Sequence, residues 1–130
     1  MADLVLVDTD VLVDYARGVA AAADLLAEKA SGCELGVCCV TEMELIAGCR
    51  NKAELAQVRA FLSDYRRVEL TPAIGDAAVE LMARFRLSHG LLMPDALISA
   101  TAVITSRCLL TRNLKHFSYV PGIDLLSYQP

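Results

Sequence analysis

Two acids follow directly on the first apolar stretch of the chain: Leu4-Val5-Leu6-Val7 runs into Asp8-Thr9-Asp10. Four apolar residues rich in valine read as a strand buried on both faces. A carboxylate is costly to bury, so Asp8 is expected where the strand ends. In an open parallel sheet that carboxyl edge is where ligands bind. Two roles fit the pair. Asp8 or Asp10 caps the next helix, Val11 to Arg17, or the acids do chemistry. What decides is whether distant parts of the chain bring acids to the same edge.

Three later positions supply candidates. Glu44 lies one turn into a helix that follows a second apolar stretch. Thr41-Glu42-Met43-Glu44 reads as a capping box, with Glu44 bonding back to the Thr41 backbone and Glu42 favoured by the helix dipole. Asp95, next to Pro94, is another acid in a first helical turn, and Asn113 reads as an N-cap. Each alone is structural. Together they say more, because every helix that follows a strand in a parallel sandwich begins at one edge of the sheet. Asp8 and Glu44 stand at or just past strand ends, and Asn113 follows a strand ending at Thr111. Asp95 starts the helix before that strand, so only tertiary packing can bring it to the edge. Three converging carboxylates cannot all stay ionised without a cation. Oxygen-only ligands suit Mg²⁺ or Mn²⁺, and such sites hydrolyse phosphodiesters by ligating the phosphate and acidifying a water.

The elements that must position these acids alternate. Ala20 to Ser31 reads as a helix stopped by Gly32, Glu34 to Val40 as a strand, and Thr41 to about Cys49 as a helix. Lys52 to Arg66 carries Leu55, Val58, Leu62 and Tyr65 at helical spacing. Val68 to Leu70 reads as a short strand or a connector. Pro72 opens a helix with Ile74, Ala78, Leu81 and Phe85 on one face, broken at Ser88-His89-Gly90. Asp95 to about Ser106 is apolar nearly all round, hence buried. Cys108 to Thr111 is a strand, Asn113 to Phe117 one helical turn, and Ile123 to Leu126 a last strand. Alternation of this kind predicts right-handed crossovers and a three-layer α/β/α sandwich around a mainly parallel sheet.

Composition sets the frame. A chain of 130 residues, 55% of them hydrophobic, is expected to form one domain with a sizeable core. No apolar run approaches the roughly 20 residues that cross a bilayer. Asp3 and the lack of an early basic stretch argue against a signal peptide, so the chain is expected to be cytoplasmic. Five cysteines at irregular spacing, with no CxxC pair, point to reduced thiols rather than zinc or disulfides. The net charge of −4 disfavours a nucleic-acid binder. The four acids Asp8, Asp10, Glu44 and Asp95 account for all of it, and a bound metal reverses the local sign. Charge therefore does not decide the partner.

The motifs in order are LVDTDVLVDY ending at Tyr15, VTEMELIAG at Val40–Gly48, LLMPDALISATAV at Leu91–Val103 and LLTRNLKHFSYVPGIDLL at Leu109–Leu126. With these four in register, the chain resembles the PIN-domain endoribonucleases, specifically the VapC-type toxins of toxin–antitoxin pairs. The resemblance covers nearly the whole length. It implies a parallel sheet flanked by helices, a homodimer and a Mg²⁺- or Mn²⁺-dependent cut in RNA. It also implies a small VapB-like antitoxin that feeds an arginine-bearing tail toward the acids. The family pattern puts its acids on Asp8, Glu44 (the one followed by Leu-x-x-Gly) and Asp95, leaving Glu42 as the decoy.

Two departures mark this chain. Asp10 stands where the family often has Asn or Ser, and His116 stands where it often has an acid before the last Phe. Asp10, Asn113, His116 and Thr111 are therefore supporting candidates. Arg112 and Lys115 adjoin the last motif and are the expected phosphate contacts. Thr9 and Thr111 either orient a carboxylate or water or finish their strands.

Two rival readings follow from the same residues. A haloacid-dehalogenase-like phosphatase also begins with an apolar strand and DxD, with Asp8 as nucleophile. It needs a later lysine and an acid pair, and after Thr111 only Lys115 and Asp124 remain. A non-catalytic PIN fold that binds RNA or a partner is the other.

Overall fold

The first strand lies at the middle of the sheet, where its four apolar residues find cover on both sides. The structure, a computed structural model, describes residues 3–128. Its elements are β1 (Asp3–Val7), α1 (Thr9–Ala16), α2 (Ala20–Ala30), β2 (Cys33–Cys38), α3 (Cys39–Ala47), α4 (Lys52–Leu62), β3 (Arg66–Val68), α5 (Pro72–His89), α6 (Met93–Ile104), β4 (Cys108–Leu110) and β5 (Leu125–Leu126). A single 3₁₀ turn, Leu114–His116, follows β4. The strand order is β3-β2-β1-β4-β5. Every pairing is parallel, with Val5 opposite Leu35 on one side and Val7 opposite Leu110 on the other. The expected α/β/α sandwich is present, and its sheet is parallel throughout.

Side chains of β1 alternate between two cores, as the twofold repeat of a strand requires. Val5 and Val7 pack with Leu12, Leu26, Val37 and Leu62, under α1, α2 and α4. Leu6 packs with Cys38, Ile98, Leu109 and Phe117, under α6. A third cluster, including Ile74, Ala78, Leu81 and Ala100, joins α5 to α6. Gly36 in β2 packs closely under Leu4: a Cβ there would meet Leu4 Cδ2 at 2.8 Å, so a larger residue would need the Leu4 side chain to shift. No helix among the described residues is long and apolar enough to cross a membrane.

Several boundaries differ from the sequence expectation. β2 ends at Cys38, not Val40, and α3 starts at Cys39, two residues ahead of Thr41. Thr41 is fully buried inside the first turn and cannot act as a solvent-facing cap. The short strand after α4 is Arg66–Val68 rather than Val68–Leu70, because α4 already ends at Leu62. It is an edge strand, and Arg66 pairs with Glu34 of β2 at 3.3 Å. Charges of this kind keep an edge from recruiting another sheet. α5 runs through Ser88 and His89 and stops at Gly90, whose φ of 68° takes the left-handed cap that favours glycine. β5 is confined to Leu125–Leu126.

Candidate active site

Asp8 combines both roles that the sequence left open. Its backbone N–H extends the ladder to the Leu110 carbonyl at 2.9 Å. It is also the N-cap of α1, its Oδ1 accepting the Thr9 N–H at 2.8 Å. Oδ2 accepts the Thr111 hydroxyl at 2.9 Å. The residue is only 4% exposed. Burial pushes its carboxyl up from 3.8 to about 7, Asp10 and Asp95 add to the rise, and the Thr111 and Thr9 bonds oppose it. Among the described residues no lysine or arginine pairs with Asp8.

Glu44 does not complete the expected capping box. Because α3 starts at Cys39, Glu44 lies further along the helix and turns its carboxylate across to α1. Thr9 Oγ1 stands 2.7 Å from Glu44 Oε1 and 3.0 Å from Thr41 Oγ1. A hydroxyl has one proton, so Thr9 donates it to the carboxylate and accepts that of Thr41. Glu42 faces elsewhere, 3.6 Å from Arg67.

Asp95 reaches the same edge by a route the sequence argument lacked. Two helices, not one, lie between β3 and β4. The second must run back from the carboxyl edge to the start of β4, which puts its first turn at that edge. Burial raises the Asp95 carboxyl; His116 opposes this, and Glu44 and Asp10 add to it. His116 Nδ1 stands 3.9 Å from Asp95 Oδ2.

The β4 end supplies the remaining candidates. The Thr111 hydroxyl accepts the Asn113 N–H at 3.0 Å, and the Asn113 amide donates to Asp10 Oδ2. Arg112 Nη2 lies 3.7 Å from Asp10, while its Nη1 donates to Asp14 Oδ1 at 2.6 Å. Tyr128 completes that group, its hydroxyl donating to Asp14 Oδ2 at 2.7 Å. Burial and the Asp14 bond raise the Tyr128 phenol. Arg112, expected on phosphate, thus spends one side of its guanidinium on a buried acid. Lys115 is exposed and forms no ion pair among the described residues.

Sequence reasoning missed Asp14 and Tyr128. The available signal was spacing: Asp14 follows Asp10 by four and therefore shares its helix face. Nothing local pointed to Tyr128. As placed, no three Asp, Glu, His or Cys side chains among the described residues form a ready metal cage. The edge does collect carboxylates from three segments, and among the described residues Asp8 has no cationic partner.

A family model described as PIN domain matches residues 5–122. Ribonuclease VapC19 of Mycobacterium tuberculosis is 40% identical over 121 residues, 92% of this chain and 96% of that protein. Ribonuclease VapC10 of the same organism is 38% identical over 115 residues, 88% of this chain and 86% of that one. A solved toxin–antitoxin complex from Klebsiella pneumoniae superposes with a TM-score of 0.78 at 29% identity, covering 97% of this chain and 99% of that one. VapBC2 from Rickettsia felis, solved bound to a promoter DNA fragment, gives a TM-score of 0.81 at 19% identity over the same shares and speaks to the fold alone. The phosphatase alternative is set aside by these matches. With its acids on the carboxyl edge of an all-parallel sheet and these relatives along nearly its whole length, the chain belongs to the PIN-domain family, among the VapC ribonucleases.

Proposed function

We propose that this chain is a divalent-metal-dependent endoribonuclease, the toxin of a toxin–antitoxin pair, forming one PIN domain over its 130 residues. The observation that carries this reading is Asp8: a buried carboxylate at the end of the central strand, held by two neutral donors and repelled by neighbouring acids. Asp8, Glu44 and Asp95 hold Mg²⁺ or Mn²⁺, directly or through waters. Mg²⁺ keeps several waters and takes one or two carboxylates directly, so the chain need not present a closed three-acid cage. The bound ion would supply an acidified water and neutralise charge on the scissile phosphate.

The chain's own groups orient the donors. The Thr9 amide and Thr111 hydroxyl fix the Asp8 carboxylate, and the Thr9 hydroxyl fixes Glu44. Asn113 steadies Asp10. His116 stands beside Asp95, its Nδ1 3.9 Å from Oδ2. In hydrolysis the attacking water gives its oxygen to phosphorus and releases a proton, while the departing ribose oxygen takes one up.

A VapB-like antitoxin has a place to dock. An apolar groove of about 460 Å³, lined by Leu12 and Val13 of α1, Leu45 of α3, and Val58 and Phe61 of α4, opens at Thr9 and Glu44. An apolar segment laid there would bring an arginine to the acids. The protein works as a homodimer in the cytoplasm.

The test is RNA cleavage by wild type and Asp8→Asn, free of antitoxin, in Mg²⁺, Mn²⁺ or EDTA. Cutting with metal and none in EDTA is expected. Asp8→Asn should lose more than about 100-fold, beyond what loss of a supporting partner costs. A broad RNA panel left uncut by the metal-loaded wild type overturns the reading.

A further inference from the structure

A second, smaller cleft adjoins the metal site, sharing Asp95 and His116 with it, and its other wall is left unused by the metal chemistry. It holds about 150 Å³ and is lined by His89, Gly90, Leu91, Asp95, Lys115 and Tyr119, among others. Its aromatic wall is built rather than incidental. The His89 ring stacks on Tyr119, with centroids 4.1 Å apart and planes at 21°. Phe85 meets His89 edge-on at 5.6 Å and backs Tyr119 at 4.9 Å. Ser88 Oγ stands 2.7 Å from His89 Nδ1 and fixes the ring. One face of His89 is thus covered by Tyr119, yet the residue as a whole is exposed. Leu91 gives the cleft an apolar, buried floor. Lys115 supplies a cation at the rim, with no carboxylate pairing it among the described residues.

We propose that this cleft is a nucleobase subsite, in which a base of single-stranded RNA stacks on His89 and an adjoining phosphate meets Lys115. The proposal rests on the ribonuclease reading above and adds how the strand is gripped next to the cut. A planar, neutral ring suits an aromatic stack over an apolar floor. A free anion does not, because Asp95 shares the lining and repels it. A base still stacked in a duplex cannot enter, whereas the splayed bases of single strands are read on aromatic faces. Stacking of this kind tolerates different bases, so the subsite contributes grip more than sequence choice.

The experiment measures fluorescence anisotropy of a labelled single-stranded RNA dodecamer in EDTA, where cutting is off, together with KM and kcat in Mn²⁺. His89→Ala should weaken binding by about 5- to 100-fold, the range that loss of one base–aromatic stack gives. It should raise KM more than it lowers kcat. His89→Trp should restore binding, since it returns a stacking face. Lys115→Ala should weaken binding and reduce the dependence on salt by roughly one phosphate contact. Wild-type affinity in His89→Ala overturns the subsite, as does a loss that His89→Trp fails to repair. Equal weakening against a duplex of the same sequence also overturns it. These outcomes are separate from failure of the enzyme reading: a wild type that cuts RNA while His89→Ala binds and cuts equally well loses only the subsite.

Discussion

Two aspartates six residues apart are buried almost equally, Asp8 at 4% exposure and Asp14 at 3%. Their partners differ in kind. Asp14 receives the Arg112 guanidinium at 2.6 Å and the Tyr128 hydroxyl at 2.7 Å. Asp8 receives an amide and a hydroxyl, both neutral. An ionised carboxylate is not left buried without compensation. The chain itself balances the charge of Asp14, which ties α1 to the loop after β4 and to the C-terminal segment. For Asp8 the balance must come from a proton or from a cation brought in from outside. The contrast separates an acid that holds the fold from one available for chemistry, and burial alone would not have told them apart.

The widest test of that contrast is pH. The Asp8 carboxyl lies at about 7 in the folded protein against 3.8 ordinarily. Below about pH 4 both states are protonated, and the stability is fully present. Between about pH 4 and 7 the unfolded chain has released its proton and the folded one retains it. Stability therefore falls as pH rises through this window, by up to about 4 kcal/mol from this group. Urea melts of metal-free wild type and Asp8→Asn should agree near pH 4 and diverge by pH 8, with Asp8→Asn the more stable. Mn²⁺ should stabilise the wild type more at pH 8 than at pH 5, and EDTA should reverse it. A pH-independent gap between the two proteins would dissolve the distinction between the two aspartates.

Asp14→Ala probes the other side. It strands the Arg112 guanidinium, and loss of one partner of a buried pair typically costs 3–5 kcal/mol. Arg112 is a third exposed, so solvent reduces this to about 2–3 kcal/mol. The Mn²⁺ stabilisation at pH 8 should survive in this variant. If it disappears, Asp14 belongs with the metal donors, and the division drawn here is wrong.

How far the sequence could show this depends on how local each cause is. The Val-rich run into Asp8 carried both strand and edge within a few residues. The parallel sheet and its flanking helices followed from alternation, and with them the positions of Asp8 at the end of β1 and Glu44 in the helix after β2. The start of α3 was misread because Thr41 looks like a cap in the sequence, whereas burial against Thr9 decides its place. Asp95 could not be placed by counting helices after strands, since its position depends on α6 being the returning helix of a two-helix crossover. The Asp14–Arg112–Tyr128 group was invisible. It spans 114 residues, and no periodicity encodes a hydrogen bond between elements that far apart.

The finest division lies within the site, between acids oriented by the backbone and acids oriented by a side chain. Asp8 keeps its Thr9 amide bond whatever the side chain at position 9. The Glu44 carboxylate has no such support: its one hydrogen bond among the described residues comes from the Thr9 hydroxyl, which also satisfies buried Thr41. Thr9→Val keeps the shape and the amide but deletes that hydroxyl. Folding should weaken by about 1–3 kcal/mol, because the change also strands the buried Thr41 hydroxyl. Mn²⁺ affinity and cleavage should fall by about 10-fold, the low end for losing a partner that orients a ligand. Thr9→Ser returns the hydroxyl and should recover most of both. The discriminating quantity is the ratio of the two effects, since a purely structural Thr9 would lower stability and leave Mn²⁺ affinity unchanged. An unchanged Mn²⁺ affinity in Thr9→Val would mean that Glu44 needs no orienting hydroxyl, and that the hydrogen bond serves only to close α1 against α3.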